Sequence, residues 1–252
     1  MFVKIDDVNV YYEVEGEGHP IILLHGWGQS VAAFEPVAMH LKQHYKVYNI
    51  DFPGFGKSEE PKTVWSVYDY ADMLEKFVKT LTIEKPTLFG HSFGGRVAII
   101  YAGRKNPMTK LVLVDAAGIK PKRGLDYYAR VYTYKLGKRI LSLPGLKVYK
   151  EQMMKNAGSS DYKSASPMMR QIMSKVVNDD LQHLMPEIEA ETLLVWGDLD
   201  DATPLNDAKI MEKKIKGSGL VVFEGAGHYS YLERLPQFLR VIDVFLEKER
   251  GE

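Results

Sequence analysis

Gly90-His91-Ser92-Phe93-Gly94 places a hydroxyl between two residues that lack side chains, in a segment running from an apolar stretch, Pro86-Thr87-Leu88-Phe89, into a helix-like one, Gly95 to Ala102. A strand, a sharp turn and a helix would put Ser92 at the tip, in a strained backbone that only small neighbours accommodate. An exposed serine can act as a nucleophile, but only beside a base, which in turn needs an orienting acid. Two other segments supply those types. His228 lies in Gly225-Ala226-Gly227-His228-Tyr229, just after an apolar run, and Asp200 lies in Trp196-Gly197-Asp198-Leu199-Asp200-Asp201-Ala202-Thr203-Pro204, after the preceding run. The chemistry in view is acyl transfer through a covalent intermediate.

Other residues compete for these roles. Ser92 could be an ordinary helix N-cap, and His228 an ordinary hydrogen-bonded loop histidine. His25 and His91 are alternative bases; we expect His25 to shape the loop after the first parallel strand, and His91 to point away from the side of Ser92 that meets its partner. Asp198 and Asp201 flank Asp200, and Asp115 ends the strand after the serine turn. Asp51 and Ser58 read as residues that fix a loop. His25, His40 and His44 lack the spacing of a zinc site, so neither metal nor cofactor is expected.

The elements that must position these groups are legible as apolar runs. Phe2 to Ile5 and Asn9 to Val14 alternate in polarity around Asp6-Asp7, which predicts a β-hairpin at a sheet edge. Ile21 to Leu24, Lys46 to Ile50, Thr87 to Phe89, Leu111 to Val114, Thr192 to Trp196 and Leu220 to Phe223 are short runs without alternation, as expected of strands buried on both faces. Helical spacing over Val31–Leu41, Val67–Leu81, Gly95–Arg104, Leu205–Ile215 and Pro236–Lys248 separates them. Strand alternating with helix predicts an α/β fold with a mostly parallel sheet, helices on both faces, and the candidate residues on loops along one edge.

From Ile119 to Pro186 the alternation stops. Helix-like stretches around Tyr127–Leu141, Leu146–Lys155 and Met168–Val177 predict a helical cap inserted into the core, giving residues 1–118 and 187–252 to the core and 119–186 to the cap. Its tyrosines and methionines, Met153, Met154, Met168, Met169 and Met173 among them, suit an apolar pocket, although packing against the core would use the same types.

Composition narrows the partners. Lys plus Arg and Asp plus Glu each number 33 in 252 residues, so no global field favours nucleic acid, and a small-molecule substrate is expected. The chain has no cysteine, which excludes disulfides and thiol chemistry and fits a reducing, cytoplasmic setting. The N-terminus lacks the layout of a signal peptide, and no apolar run approaches membrane-spanning length.

The order Ser92, Asp200, His228, each beyond a different strand, resembles the serine-nucleophile branch of the α/β-hydrolase fold superfamily. The resemblance covers nearly the whole chain outside the insertion. Three more segments carry it: His25-Gly26-Trp27-Gly28, Asp51-Phe52-Pro53-Gly54-Phe55-Gly56-Lys57-Ser58 and Leu232-Glu233-Arg234-Leu235-Pro236. It implies Ser92 as nucleophile, His228 as base and Asp200 as acid, four residues after Trp196 and four before Pro204. It also implies backbone N–H groups of Trp27 and Phe93 as the oxyanion hole. Haloalkane dehalogenases and epoxide hydrolases of this fold carry aspartate at the turn, so Ser92 argues against both. The paired His-Gly-Trp-Gly and Asp-x-Pro-Gly-x-Gly-x-Ser segments are similar to those of pimeloyl-carrier-protein methyl esterases and of aryl-esterase/perhydrolase branches, which makes a carboxylic ester hydrolase the expectation. Gln29 and Tyr229 differ from the residues common in carbon–carbon bond hydrolases of ring-fission products. That activity and a ligand sensor with a retained triad are the alternatives.

Overall fold

The computed structural model describes residues 1–121, Thr133 and 165–249. Their strands form one eight-stranded sheet. In chain order these are β1 (Phe2–Ile5), β2 (Val8–Glu15), β3 (Pro20–Leu24), β4 (Lys46–Ile50), β5 (Thr87–His91), β6 (Lys110–Val114), β7 (Glu191–Gly197) and β8 (Gly219–Phe223). In space the order is β1-β2-β4-β3-β5-β6-β7-β8. β1 and β2 pair antiparallel with each other, β2 pairs antiparallel with β4, and every other pair is parallel.

The helices are α1 (Glu35–Leu41), α2 (Val67–Thr80), α3 (Phe93–Gly103), α4 (Pro167–Val176), α5 (Leu205–Lys214), α6 (Ser230–Glu233) and α7 (Leu235–Phe245). Successive strand residues face opposite sides. Ile22, Leu24, Leu88, Leu111, Leu113, Leu194 and Trp196 pack with α2, α3, α4 and α5 on one face. Ile21, Leu23, Phe89, Val112, Val114 and Val195 pack with α1, α6 and α7 on the other. Two covered faces explain why the runs read as continuously apolar.

Two expectations need correction. β8 is the sheet's edge, and Val222 is 40% exposed, so this strand is not buried on both faces. The predicted helix over Val31–Leu41 divides into a 3-10 turn, Val31–Phe34, and α1, with Pro36 in the first turn of α1, where its missing N–H costs nothing.

Of the proposed cap, Met168–Val177 corresponds to α4, whose N-cap Ser166 accepts the Met169 N–H. The stretches Tyr127–Leu141 and Leu146–Lys155, with Met153 and Met154, lie outside the described residues apart from Thr133. Among the described residues no helix is long and apolar enough to cross a membrane.

The connection from β3 leads to β4 on one side, and the next crosses back to β5 on the other. The chain therefore reverses its winding between β3 and β5, and an open α/β sheet forms its crevice at the carboxyl ends of such strands. Trp27 follows β3 and Ser92 follows β5.

Candidate active site

Ser92 adopts φ 49° and ψ −111°, a conformation costly for a residue with a side chain. The surroundings hold it there. Its N–H donates to Val114 O, and its carbonyl accepts the N–H groups of Gly95 and Ala117. A Cβ on Gly94 would lie 2.0 Å from Leu24 O, and one on Gly90 would lie 2.8 Å from Gly94 O, so both positions require glycine. Ser92 makes no side-chain cap bond to α3, which removes the N-cap reading.

Its hydroxyl points instead at His228. Ser92 Oγ lies 2.9 Å from His228 Nε2, and His228 Nδ1 lies 2.9 Å from Asp200 Oδ2. Facing a carboxylate, Nδ1 carries the proton; Nε2 is then a bare acceptor and receives the serine O–H. Burial pulls the His228 pKa down, but the hydrogen bond and charge of Asp200 outweigh it, leaving the imidazole above its ordinary value. Burial likewise opposes ionisation of Asp200, yet hydrogen bonds from His228 and Thr203 hold it below the usual carboxylate range.

Two of the rival acids are occupied elsewhere, and Asp201 is exposed. Asp198 Oδ1 accepts the Gly225 N–H. Asp115, buried and at φ 43°, accepts the N–H of Gly197 on Oδ1 and of Ser230 on Oδ2, joining the ends of β6 and β7 to the histidine loop. Burial raises its carboxyl to about 6. Asp51 accepts the N–H groups of Val31 and Lys57, and Ser58 donates to Asp51 O, so both fix their loop as expected.

His25 also behaves as expected. Its Nδ1–H donates to Gly26 O, its Nε2 accepts the Phe52 N–H, and burial lowers its pKa to about 4. His91 does not. Its ring centre lies 5.0 Å from that of His228 and its Nε2–H donates to His228 O, so it faces the His228 loop rather than away from it. Burial, with the charge of His228, drives its pKa to about 3. Alternation along β5 puts His91 opposite Ser92's outward direction, but the histidine loop wraps over both.

Phe93 is the first residue of α3, where the N–H has no acceptor within the helix and the helix dipole is positive. The Trp27 ring packs edge-on against Phe93, with centroids 5.3 Å apart, which brings the β3 loop against the serine turn. A cavity of about 480 Å³ opens beside Ser92 and His228, with Trp27, Phe93, Ile119, Met173, Val176 and Ile210 in its wall.

Two contributors were not foreseen. Thr203 accompanies Asp200: its N–H and that of Ala202 donate to Asp200 Oδ1, and its hydroxyl lies 2.6 Å from Oδ2. The Asp-x-x-Thr-Pro spacing is a turn pattern that could have revealed it. Arg96, buried in α3 and lining the cavity, donates to Asp179 O and Val177 O, tying the chain beyond α4 to the serine helix. Its signal was a charge inside an otherwise apolar helix. Among the described residues, no group of three or more His, Asp or Glu side chains is placed to hold a metal.

A doubly wound, mostly parallel sheet carrying serine, aspartate and histidine on the loops after β5, β7 and β8 defines a hydrolase-type protein. The chain belongs to the alpha/beta hydrolase fold family, whose model matches residues 19–235. It is 28% identical to the AB hydrolase superfamily protein YisY of Bacillus subtilis, over 97% of this chain and 98% of the relative. It is 24% identical to the pimeloyl-[acyl-carrier protein] methyl ester esterase of Aliivibrio fischeri, over 95% and 98%. Among solved structures, a bacterial membrane phospholipase A superposes with a TM-score of 0.80 at 26% identity, covering 100% of this chain and 86% of that one.

Proposed function

We propose that the protein hydrolyses carboxylic esters of small to medium acyl groups through an acyl-enzyme. The hydrogen-bonded series from Ser92 Oγ through His228 to Asp200 at the winding reversal carries this reading. His228 Nε2 takes the Ser92 proton as Oγ attacks the acyl carbon, and Asp200 stabilises the imidazolium. Backbone N–H groups of Trp27 and Phe93 hold the oxyanion of the tetrahedral intermediate. His228 then protonates the departing alcohol. In the second half, water gives its proton to His228 and attacks the acyl carbon, and Ser92 leaves with that proton as the free acid forms.

The apolar wall beside Ser92 supports an acyl group as the occupant of the cavity. Segment 119–186 acts in this reading as a cap: Ile119, Lys120 and Pro121 at its start and Met173, Val176 and Val177 near its end flank the cavity. The methyl ester esterase relative supports the ester reading, and the lack of cysteine supports a cytoplasmic setting.

The test is turnover of p-nitrophenyl acetate and butyrate by wild type and Ser92→Ala. Wild-type turnover abolished in the variant is the expected result. Equal rates in the two proteins would overturn the proposal. Fluorophosphonate labelling of Ser92 without turnover would point to a sensor, and rapid, His228-dependent cleavage of a ring-fission product to carbon–carbon chemistry.

A further inference from the structure

Asp200 is fully buried at its side chain and is held from two sides. Oδ1 accepts two backbone N–H groups, from Ala202 at 2.8 Å and Thr203 at 2.9 Å. Oδ2 serves both His228 Nδ1 at 2.9 Å and the Thr203 hydroxyl at 2.6 Å. That hydroxyl is also 3.0 Å from Asp115 O and 3.4 Å from His228 Nδ1. It has one proton and two acceptors, and the closer acceptor is charged, so the proton goes to Asp200.

We propose that Thr203 is a positioning residue acting through Asp200: it donates to the same carboxylate oxygen that orients His228 and so limits how strongly that oxygen stabilises the imidazolium. A carboxylate oxygen shared between two donors is a weaker partner for each than one devoted to the imidazole alone. The result is a base kept closer to neutrality than an undivided Asp200 would leave it, which suits proton transfer in both directions.

The other groups facing His228 are accounted for. Asp201 on the β7–α5 loop is exposed, and Asp115 at the end of β6 is engaged by Gly197 and Ser230. His91 on β5 donates to the His228 carbonyl, and Tyr229 packs beside both rings. Thr203 alone among these bonds directly to the carboxylate oxygen that meets Nδ1.

This inference rests on the proposed roles of Asp200 and His228, but its test needs no substrate. NMR titration of the His228 ring in ¹⁵N-labelled protein is compared among wild type, Thr203→Val, Thr203→Ala and Thr203→Ser. Loss of the hydroxyl should raise the His228 midpoint by roughly half to one pH unit, with serine restoring it. The acid limb of kcat/KM for p-nitrophenyl butyrate should move by the same amount. An unmoved midpoint in the alanine or valine variant, with only the thermal midpoint lowered, would mean that the hydroxyl serves Asp115 O and would overturn the proposal. So would a serine variant shifted as far as alanine. Should valine not fold, alanine and serine still decide. Absent ester turnover would count against the esterase reading and leave the titration to judge Thr203.

Discussion

His91 donates its Nε2–H to the main-chain carbonyl of His228 across 2.8 Å, fastening the loop that carries the proposed base to the strand that leads into the serine turn. The bond is partly buried and lies beside the Ser92–His228 contact. His91→Phe keeps a ring of similar size but leaves the carbonyl unpaired, at a cost of about 1–3 kcal/mol. We expect kcat for p-nitrophenyl butyrate to fall about tenfold or more with KM changed less than about twofold. An unchanged kcat would show that the loop is held without this bond.

Stability should fall on mild acidification. His25 and His91 are held neutral, with pKa values lowered to about 4 and about 3. Unfolded, both return to about 6.5. The unfolded chain therefore binds more protons below that value, and their contribution is lost as pH falls. Asp115 opposes this: raised to about 6, it binds its proton more tightly when folded, so its contribution is lost as pH rises from its ordinary value through 6. His228, raised in the fold, is charged in both states well below 6.5 and drops out. Among the groups with large shifts, two against one leave a net slope of about one proton, or about 2 kcal/mol between pH 6 and 4.5, while His19, lowered by burial, and Asp51, raised by burial, act in opposite senses. Urea midpoints at those pH values check it, and His91→Phe should flatten the slope. A midpoint that rises on acidification would contradict this account.

Gly94→Ala should destabilise severely, because its Cβ would sit 2.0 Å from Leu24 O and 2.8 Å from His25 O, both backbone atoms of the neighbouring strand and loop. We expect a loss of at least about 3 kcal/mol in thermal unfolding. Gly219→Ala, whose Cβ meets nothing within 4 Å, is the control and should stay within about 0.5 kcal/mol of wild type. Comparable losses in both would mean that the close approach of β3 and the serine turn is not what limits Gly94.

Asp200→Asn keeps the side-chain shape but removes the charge that fixes the His228 tautomer, and kcat should drop by about 10³ to 10⁴. Asp115→Asn should act mainly on stability, since an amide can accept only one of the two N–H groups that Asp115 now receives. Steady-state kinetics together with thermal melts separate the two. A larger kcat loss at Asp115 would move the acid role there.

The parallel strands and most helices were legible because burial on two faces leaves continuous apolar runs and helices leave a longer period. The misreadings share a cause: a sequence does not state its neighbours. Leu220 to Phe223 has the composition of an inner strand, but it comes last in the spatial order and so meets solvent. His91 alternates away from Ser92 along β5, but a loop nearly 140 residues later folds against it, with its carbonyl in hydrogen-bond reach.

By itself the sequence determined the chemistry on offer: a serine confined by Gly90 and Gly94 to a sharp turn, a histidine and an aspartate beyond later strands, and no thiol. Local sterics and residue type suffice for that. The family spacing already pointed to Asp200 as the partner of the imidazole; that Thr203 shares its oxygen, and that Asp115 knits three loops together, were decided only by tertiary structure. Hydrogen bonds of about 3 Å depend on how strands adjacent in space, not in sequence, bring their ends together.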